Sequence, residues 1–498
     1  MKTRQRSCLR AGPLLLLLAS FAPPVLGQTV SATVTGTVTD NTGAVLTKAS
    51  VVAVHRNTGV EYPTKSNDAG VYTITGLPIG TYVVKAEAPG FKSVTTNPLT
   101  LEVGQIARVN LKLEVGAMSE EIQVTGVNPI LQTESSVVGE IISGSTIVAL
   151  PLNGRNFAQL TLLVPGVQTH APDTFTEVKT TGVVGSGRPY VIGQREQSNN
   201  FMLDGIDQNE AVDNLIAYYP SPDAIAEMKV DTNNYSAEYG NVAGGVVNVV
   251  TKSGSNEFHG NAFAFGRDDK FDANSWSNNR SAAKKGNFSQ QIFGATLGGP
   301  LARNKLFFFV DYQGTRINRP GDTVATVAPA EWRNGDFSSL LARGVVIRDP
   351  LTGLPFPNNQ VPTSRFSPAA RALLGNTTNY PLPNRPGVNG LTGNYVGFQN
   401  SQTRNHQGDL KLDANLSPRD NVSVRGSVGK YHNLTTETAF PLRPGGGWDS
   451  DAQSVAVNWA HTWPSAVNEL RVGWSHVLID ENPTANVFGL GNYNEVLG

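Results

Sequence analysis

Seven histidines, one cysteine and 40 acidic side chains are the material for metal or acid–base chemistry in this 498-residue chain, and they stand at no productive spacing. No His-Glu-x-x-His run occurs, the pattern that lets two imidazoles on one helix face reach a single zinc ion. His55 is followed by Arg56, Asn57 and Thr58, so the shorter His-x-x-Glu pair is missing too. The stretch RGSVGKY has the glycines and lysine of a phosphate loop. Val424, however, stands where the first glycine belongs, and Tyr431 replaces the Ser or Thr that would hold magnesium. Asp204 and Asp207 are close enough to form a carboxylate pair, but FMLDGIDQNE places them in a turn, where a structural role is expected. The chain is therefore expected to be no enzyme and to need neither cofactor nor metal.

Glycine is the other residue with a specific use here. YSAEYGNVAGGVVNVVTKSG sets Gly244 and Gly245 directly before Val246, Val247, Val249 and Val250. Glycines not needed for a turn mark a place where another backbone comes close. This predicts a buried strand approached by other strands or by a wall. Asn248 interrupts the apolar run and needs hydrogen-bond partners if it is buried.

A net charge of −1 leaves no electrostatic footprint for nucleic acid. Gly at 51 and only 16% charged residues suit a mainly β chain. Residues 1–27 carry Lys2, Arg4, Arg6 and Arg10, then an apolar run from Leu14, and read as a secretory signal cleaved near Gly27. Cleavage would remove Cys8 and leave a mature chain without disulfides or thiolate sites. No later run is apolar and long enough for a spanning helix, which leaves a barrel open as a way across a membrane.

Four further units follow. Residues 28–115 alternate with period two between DNTG, NDAG, LPIG and APG turns, as in a small antiparallel sandwich. Residues 116–130 are a linker holding the β-prone EEIQVTG. That segment reads either as the last strand of the sandwich or the first strand of the next domain, or as one that adds to a partner's sheet. Residues 131–255 look like a small α+β unit with a helix near 156–163 ending before Pro165. Residues 256–498 hold seven candidate strands of about 10 residues, with a long Pro- and Asn-rich segment near 317–402. Leu410, Leu412, Ala414 and Leu416 alternate with Asp409, Lys411, Asp413 and Asn415, which fits either a strand between lipid and lumen or a soluble sandwich.

The first of these units resembles the carboxypeptidase regulatory-like domain, a transthyretin-type fold, through Gly36-Thr37-Val38, Asp68-Ala69-Gly70-Val71-Tyr72 and Leu77-Pro78-Ile79-Gly80-Thr81-Tyr82. The α+β unit resembles the plug of TonB-dependent outer-membrane receptors. The matching residues are Asp204 and Gly205 of the DG motif, then Tyr239, Gly240, Gly244, Gly245, Asn248, Thr251 and Lys252. LPLNGRNFAQLTLLVPGV and GDFSSLL…IRDPLTGLPFPNNQVP are similar to the Oar-like group of these receptors. The resemblance implies that Glu121, Ile122, Gln123, Val124 and Thr125 form a TonB box.

The fold expected is thus mainly β: a transthyretin-like sandwich, a small α+β plug, and an incomplete transmembrane antiparallel β-barrel. Plugged transporters have about 22 strands. Seven candidates, and an end GLGNYNEVLG without a terminal aromatic, suggest the N-terminal part of a longer chain. The resemblance implies energised uptake in the cell outer membrane, with the first domain in the periplasm. Its partners would be TonB with the inner-membrane energising complex, outer-membrane lipid, and an extracellular ligand such as a glycan or peptide. The rival reading is a surface or adhesion protein that binds carbohydrate through the sandwich. Phe307, Phe308, Phe309, Tyr312, Trp459 and Trp463 fit either a core or a membrane-interface girdle, and the barrel reading favours the girdle or lipid face.

Overall fold

Period-two runs rich in Val, Thr and aromatic residues become strands throughout the chain, and they gather into three sets. The computed structural model describes residues 31–116, 121–124, 136–169, 188–212, 214–280, 284–378, 380–388, 390–437, 446–463 and 466–483. The expected signal with Cys8, Thr125 of the linker, and the GLGNYNEVLG end lie outside them.

The first set is β1 (Ala32–Asp40), β2 (Ser50–His55), β3 (Glu61–Lys65), β4 (Val71–Leu77), β5 (Gly80–Glu87), β6 (Ser93–Thr96), β7 (Leu99–Leu101), β8 (Ile106–Arg108), β9 (Leu111–Leu113) and β10 (Glu121–Val124). One sheet runs β4-β1-β8 with β9 also on β1, and the other runs β10-β6-β5-β2-β3 with β7 on β5. Inward residues such as Val34, Val51, Tyr82, Val84 and Leu101 fill the core between them. The sandwich is not purely antiparallel as expected: β8 and β9 run parallel to β1, and β10 runs parallel to β6. Both β8 and β9 lie along β1, and the chain bends between them at Val109, whose carbonyl accepts the Tyr72 hydroxyl at 2.7 Å. A Cβ on Gly36 would stand 1.9 Å from that carbonyl oxygen. Gly36→Ala is therefore expected to destabilise the sandwich by about 2–3 kcal/mol, lowering its melting transition by roughly 10 °C. Calorimetry of the full chain checks this.

The second set is β11 (Val138–Ser143), β12 (Val167–Gln168), β13 (Tyr190–Val191), β14 (Asn200–Leu203), β15 (Ile206–Asp207), β16 (Ile225–Asn233) and β17 (Val246–Thr251). Five of them form a sheet in the order β11-β16-β17-β14-β15. Every residue of β17 is buried, as a central strand covered on both faces requires. A helix, Gly144–Ala149, and a 3-10 helix, Phe157–Leu163, pack Ile147, Phe157 and Leu160 against this sheet.

The third set is β18 (His259–Asp268), β19 (Ser289–Ala302), β20 (Leu306–Ala325), β21 (Tyr395–Ser417), β22 (Asp420–Glu437), β23 (Gly446–Thr462) and β24 (Val467–Pro483), each antiparallel to the next. The burial pattern decides between a soluble sandwich and a barrel wall. Leu410 is 48% exposed while its neighbours Asp409 and Lys411 are 4% and 7% exposed. The polar face is the covered one and the apolar face is bare, the reverse of a water-soluble sheet. Short turns at 303–305 and 418–419 mark one end of the wall, and the long connections 269–288 and 326–394 mark the other. In outer-membrane barrels short turns lie at the periplasmic end and long connections at the outer end.

Two expectations about this wall change. The strands reach 23 residues rather than about 10, because β20 and β21 stay paired out to Ala325 and Tyr395. Pro320 does not end β20, since the β19 pairing stops at Asn318 and proline's missing donor can face an unpaired side. The aromatic residues also divide. Tyr312, Trp459 and Trp463 face outward and Phe308 is half-buried, but Phe307 and Phe309 point inward and are buried. Phe307 joins the sandwich core, so the sandwich sits against the short-turn end of the wall.

Candidate functional site

The hub of the second sheet is the turn that joins β14 to β15. Asp204 takes a left-handed φ of 49° and Gly205 one of 79°, conformations that Asp tolerates and Gly adopts freely. The turn aims the Asp204 carboxylate back at the end of β17, where it accepts the Thr251 N–H at 3.0 Å and the Thr251 hydroxyl at 2.8 Å. Two cations from the barrel strands meet the same carboxylate: Lys411 Nζ at 3.4 Å and Arg425 Nε at 2.8 Å. Lys411 also donates to the Thr251 carbonyl at 3.1 Å. Burial works against the charge on Asp204, but Lys411, Arg425 and the Thr251 N–H outweigh it and hold the carboxyl below its usual range.

Further contacts tie this sheet to the wall. Tyr218 donates to Asp409 Oδ2 at 2.8 Å, and its ring lies over Gly429. Gln208 donates to Ser454 at 3.1 Å. Arg155, from the LPLNGRN stretch, is ion-paired with Asp223, and its guanidinium lies 4.6 Å and 4.7 Å from the rings of Phe263 and Phe265 on β18. On the far side of β15, Ile206 packs against Gly473 of β24, where a Cβ would be 2.3 Å from it.

The glycine pair finds its close neighbours within the second sheet's own unit rather than on the wall. A Cβ on Gly244 would be 2.4 Å from Asn199 Oδ1, and one on Gly245 would be 2.8 Å from a Val191 methyl. Asn199 Oδ1 accepts the Gly245 N–H at 2.9 Å. Gly240 has open space around it and offers its carbonyl to Asn200 at 3.0 Å. Asn248 is 2% exposed; its side chain interacts with Tyr239, yet its Oδ1 meets no donor at hydrogen-bond distance among the described residues. Burial raises the Tyr239 hydroxyl to about 12 and lowers the Lys252 ammonium. Of the residues singled out in the sequence, Asp204, Gly205 and Thr251 come together. Asn248 lies in register with Met202 and Lys229, and Tyr239 and Gly240 lie on the approach to β17.

The sequence did not point to Lys411, Arg425, Asp409, Tyr218 or Arg155 as partners. A signal was present: Lys411 and Arg425 are long cations on faces that otherwise carry short polar groups. Asp207, by contrast, is exposed and takes the Asn209 N–H. Among the described residues no group of three or more His, Cys, Asp or Glu side chains could hold a metal ion.

Glu121–Val124 pairs in parallel with Ser93–Thr96, Gln123 opposite Thr95, as the terminal strand of the sandwich sheet. The sandwich in turn touches the rest of the chain. Asn256 donates to the carbonyls of Asn57 and Thr58, and the Val103 N–H donates to Glu227 of β16. Burial, with Glu102 nearby, pushes the Glu227 carboxyl up to about 7, against the opposing pull of the Val103 N–H and Lys229. A raised carboxyl favours the docked, protonated form, so its contribution is full below about pH 4.5 and is lost as pH rises through 7. The full swing is at most about 3 kcal/mol. Melting of the sandwich against pH should show this loss, and Glu227→Gln should flatten it.

With this geometry in view, comparison with known proteins places the chain. Residues 250–498, half of the chain, match the outer membrane beta barrel domain family, and residues 33–114 match the carboxypeptidase regulatory-like domain. The chain belongs to the outer-membrane β-barrel family. It is 27% identical over 467 residues to the TonB-dependent transporter Oar of Myxococcus xanthus, covering 84% of this chain and 40% of that one. The chain thus spans 40% of the length of the curated relative it matches. Among solved structures it is similar to the outer membrane transporter YddB of Escherichia coli, at 12% identity and a TM-score of 0.43, over 68% of this chain and 39% of that one. It is also similar to the siderophore receptor PirA of Acinetobacter baumannii, at 14% identity and a TM-score of 0.41, over 70% and 40%.

Proposed function

We propose that the protein takes up a ligand across the outer membrane with energy supplied through TonB. Residues 28–115 would be the periplasmic sandwich, 131–255 the plug, and 256–498 barrel wall, after a signal at 1–27 is removed. The ligand would bind the outer loops and plug, and so favour release of the strand Glu121–Val124 toward TonB. TonB would take that strand by main-chain pairing and pull on the plug.

The observation that carries this reading is the placing of Glu121–Val124. It lies on the tether between the sandwich and a sheet held inside the wall by Asp204, and it already pairs by its backbone at a sheet edge. The rival reading, glycan binding by the sandwich, draws no support from its aromatic residues, because Tyr62, Tyr72 and Tyr82 are buried. Capture of TonB's periplasmic domain by the full chain tests the proposal. The wild-type chain should retain it and Val124→Pro should not, since proline removes a ladder donor.

A further inference from the structure

The outward face of the wall carries a cluster of basic side chains that the uptake reading does not use. Arg316 of β20 stands directly opposite Arg404 of β21, and Arg404 directly opposite His432 of β22. One row nearer the periplasm, His406 stands opposite Lys430. All five are exposed. Like charges directly opposite on one sheet face repel each other, so such a row needs a compensating anion. His432 and Lys430 have one in Asp449 and Asp451 of β23, Lys430 only at 3.9 Å. Arg316 and Arg404 have no acidic partner among the described residues. The Arg316 guanidinium lies 5.5 Å from the Phe293 ring, and Arg404 is open to the outside.

The height of the cluster on the wall identifies the anion. Toward the short turns a mixed row with Tyr312, Val428, Gln453 and His476 comes first, and the two rows beyond it are apolar: Val310, Leu410, Val455 and Trp474 in one, and Phe308, Leu412, Val424 and Val472 in the next. Toward the other end lie the long connections. The basic rows therefore sit where the lipid-facing band ends on the outer side, at the level of outer-leaflet headgroups. Tyr312 stands at this boundary, its hydroxyl 2.6 Å from His406 Nδ1, as an interfacial aromatic does. Two arginines at paired positions can offer planar guanidinium forks that match the oxygens of a phosphate.

We propose that Arg316 and Arg404, flanked by His406 and Lys430, bind the headgroup phosphate of an anionic lipid in the outer leaflet. Its acyl chains would lie along the Val310–Leu410 and Phe308–Leu412 rows beneath. The site rests on the barrel fold alone and does not depend on TonB.

The test is native mass spectrometry of the full chain in micelles doped with a bisphosphorylated glycolipid (lipid A), with its dephosphorylated analogue, or with inorganic phosphate. The wild-type chain should retain the phosphorylated lipid, and Arg316→Gln with Arg404→Gln should weaken retention at least tenfold. Arg316→Lys with Arg404→Lys, which keeps the charge but loses the fork, should fall between them. Because these side chains make few contacts with the rest of the protein, the unfolding temperature of the variants without lipid should match the wild type; a large drop would show that the pair is a packing element and would overturn the proposal. Equal retention by the Gln variant, equal binding of the dephosphorylated lipid, or competition by millimolar inorganic phosphate would also overturn it.

Discussion

Asp204→Asn will loosen the plug sheet from the barrel strands, with an expected cost of about 3–5 kcal/mol. The substitution is nearly isosteric and keeps an oxygen for the Thr251 N–H, so the turn itself should survive. What it removes is the plug carboxylate that, among the described residues, both Lys411 and Arg425 pair with. Those cations are 8% and 1% exposed at the side chain, and water cannot replace the lost partner. The readout is proteolysis of residues 136–251 in the folded chain together with urea unfolding. Asp204→Asn should be cut readily under conditions in which the wild type resists, and a further Lys411→Met should restore part of the protection by removing one stranded charge. Unchanged protection in Asp204→Asn would mean that Tyr218–Asp409 and the stacking of Arg155 on Phe263 and Phe265 suffice to hold the plug.

The second large effect concerns the strand at the sandwich edge. Thr95 and Gln123 are register partners in the parallel pair β6–β10, and Cys8 is the sole cysteine of the chain. Thr95→Cys with Gln123→Cys should therefore form a single cross-link that fixes the strand to its edge. If TonB must lift this strand, the oxidised variant should lose capture of TonB's periplasmic domain, and a reductant should restore it. Retained capture after oxidation would mean that TonB adds to the outer edge of β10 while it stays in place. Failure to cross-link would mean that the strand spends little time on β6.

How much of this was legible in the sequence follows from the range of the interactions. Period-two alternation is local, so all seven wall strands and most sandwich strands could be read from it. Which face is covered is not local: Leu410 and Asp409 alternate in the same way in a soluble sheet, and only the inward stacking of Asp409, Lys411 and Arg425 against the plug settles it. The same limit explains Phe307, whose apolar ring suits lipid as well as it suits the sandwich that covers it. Strand lengths were underestimated, since alternation does not show how far two neighbours stay paired: β20 and β21 run on to Ala325 and Tyr395. The DG turn and the glycine pair were found because their chemistry is in the backbone. The cations facing Asp204 come from positions more than 200 residues away, and pairing at that distance leaves no trace in spacing.

The central claim is that Glu121–Val124 is the strand TonB takes, and cross-link mapping tests it most directly. Glu121→Cys, Ile122→Cys, Gln123→Cys and Val124→Cys would each be presented in the full chain to a TonB periplasmic domain carrying one cysteine on its sheet edge, with Glu114→Cys as the control. The account predicts mixed disulfides within residues 121–124, strongest at alternate positions as a paired strand requires, and none at Glu114. Absence of cross-links at all four positions, or a stronger one at Glu114, would contradict it.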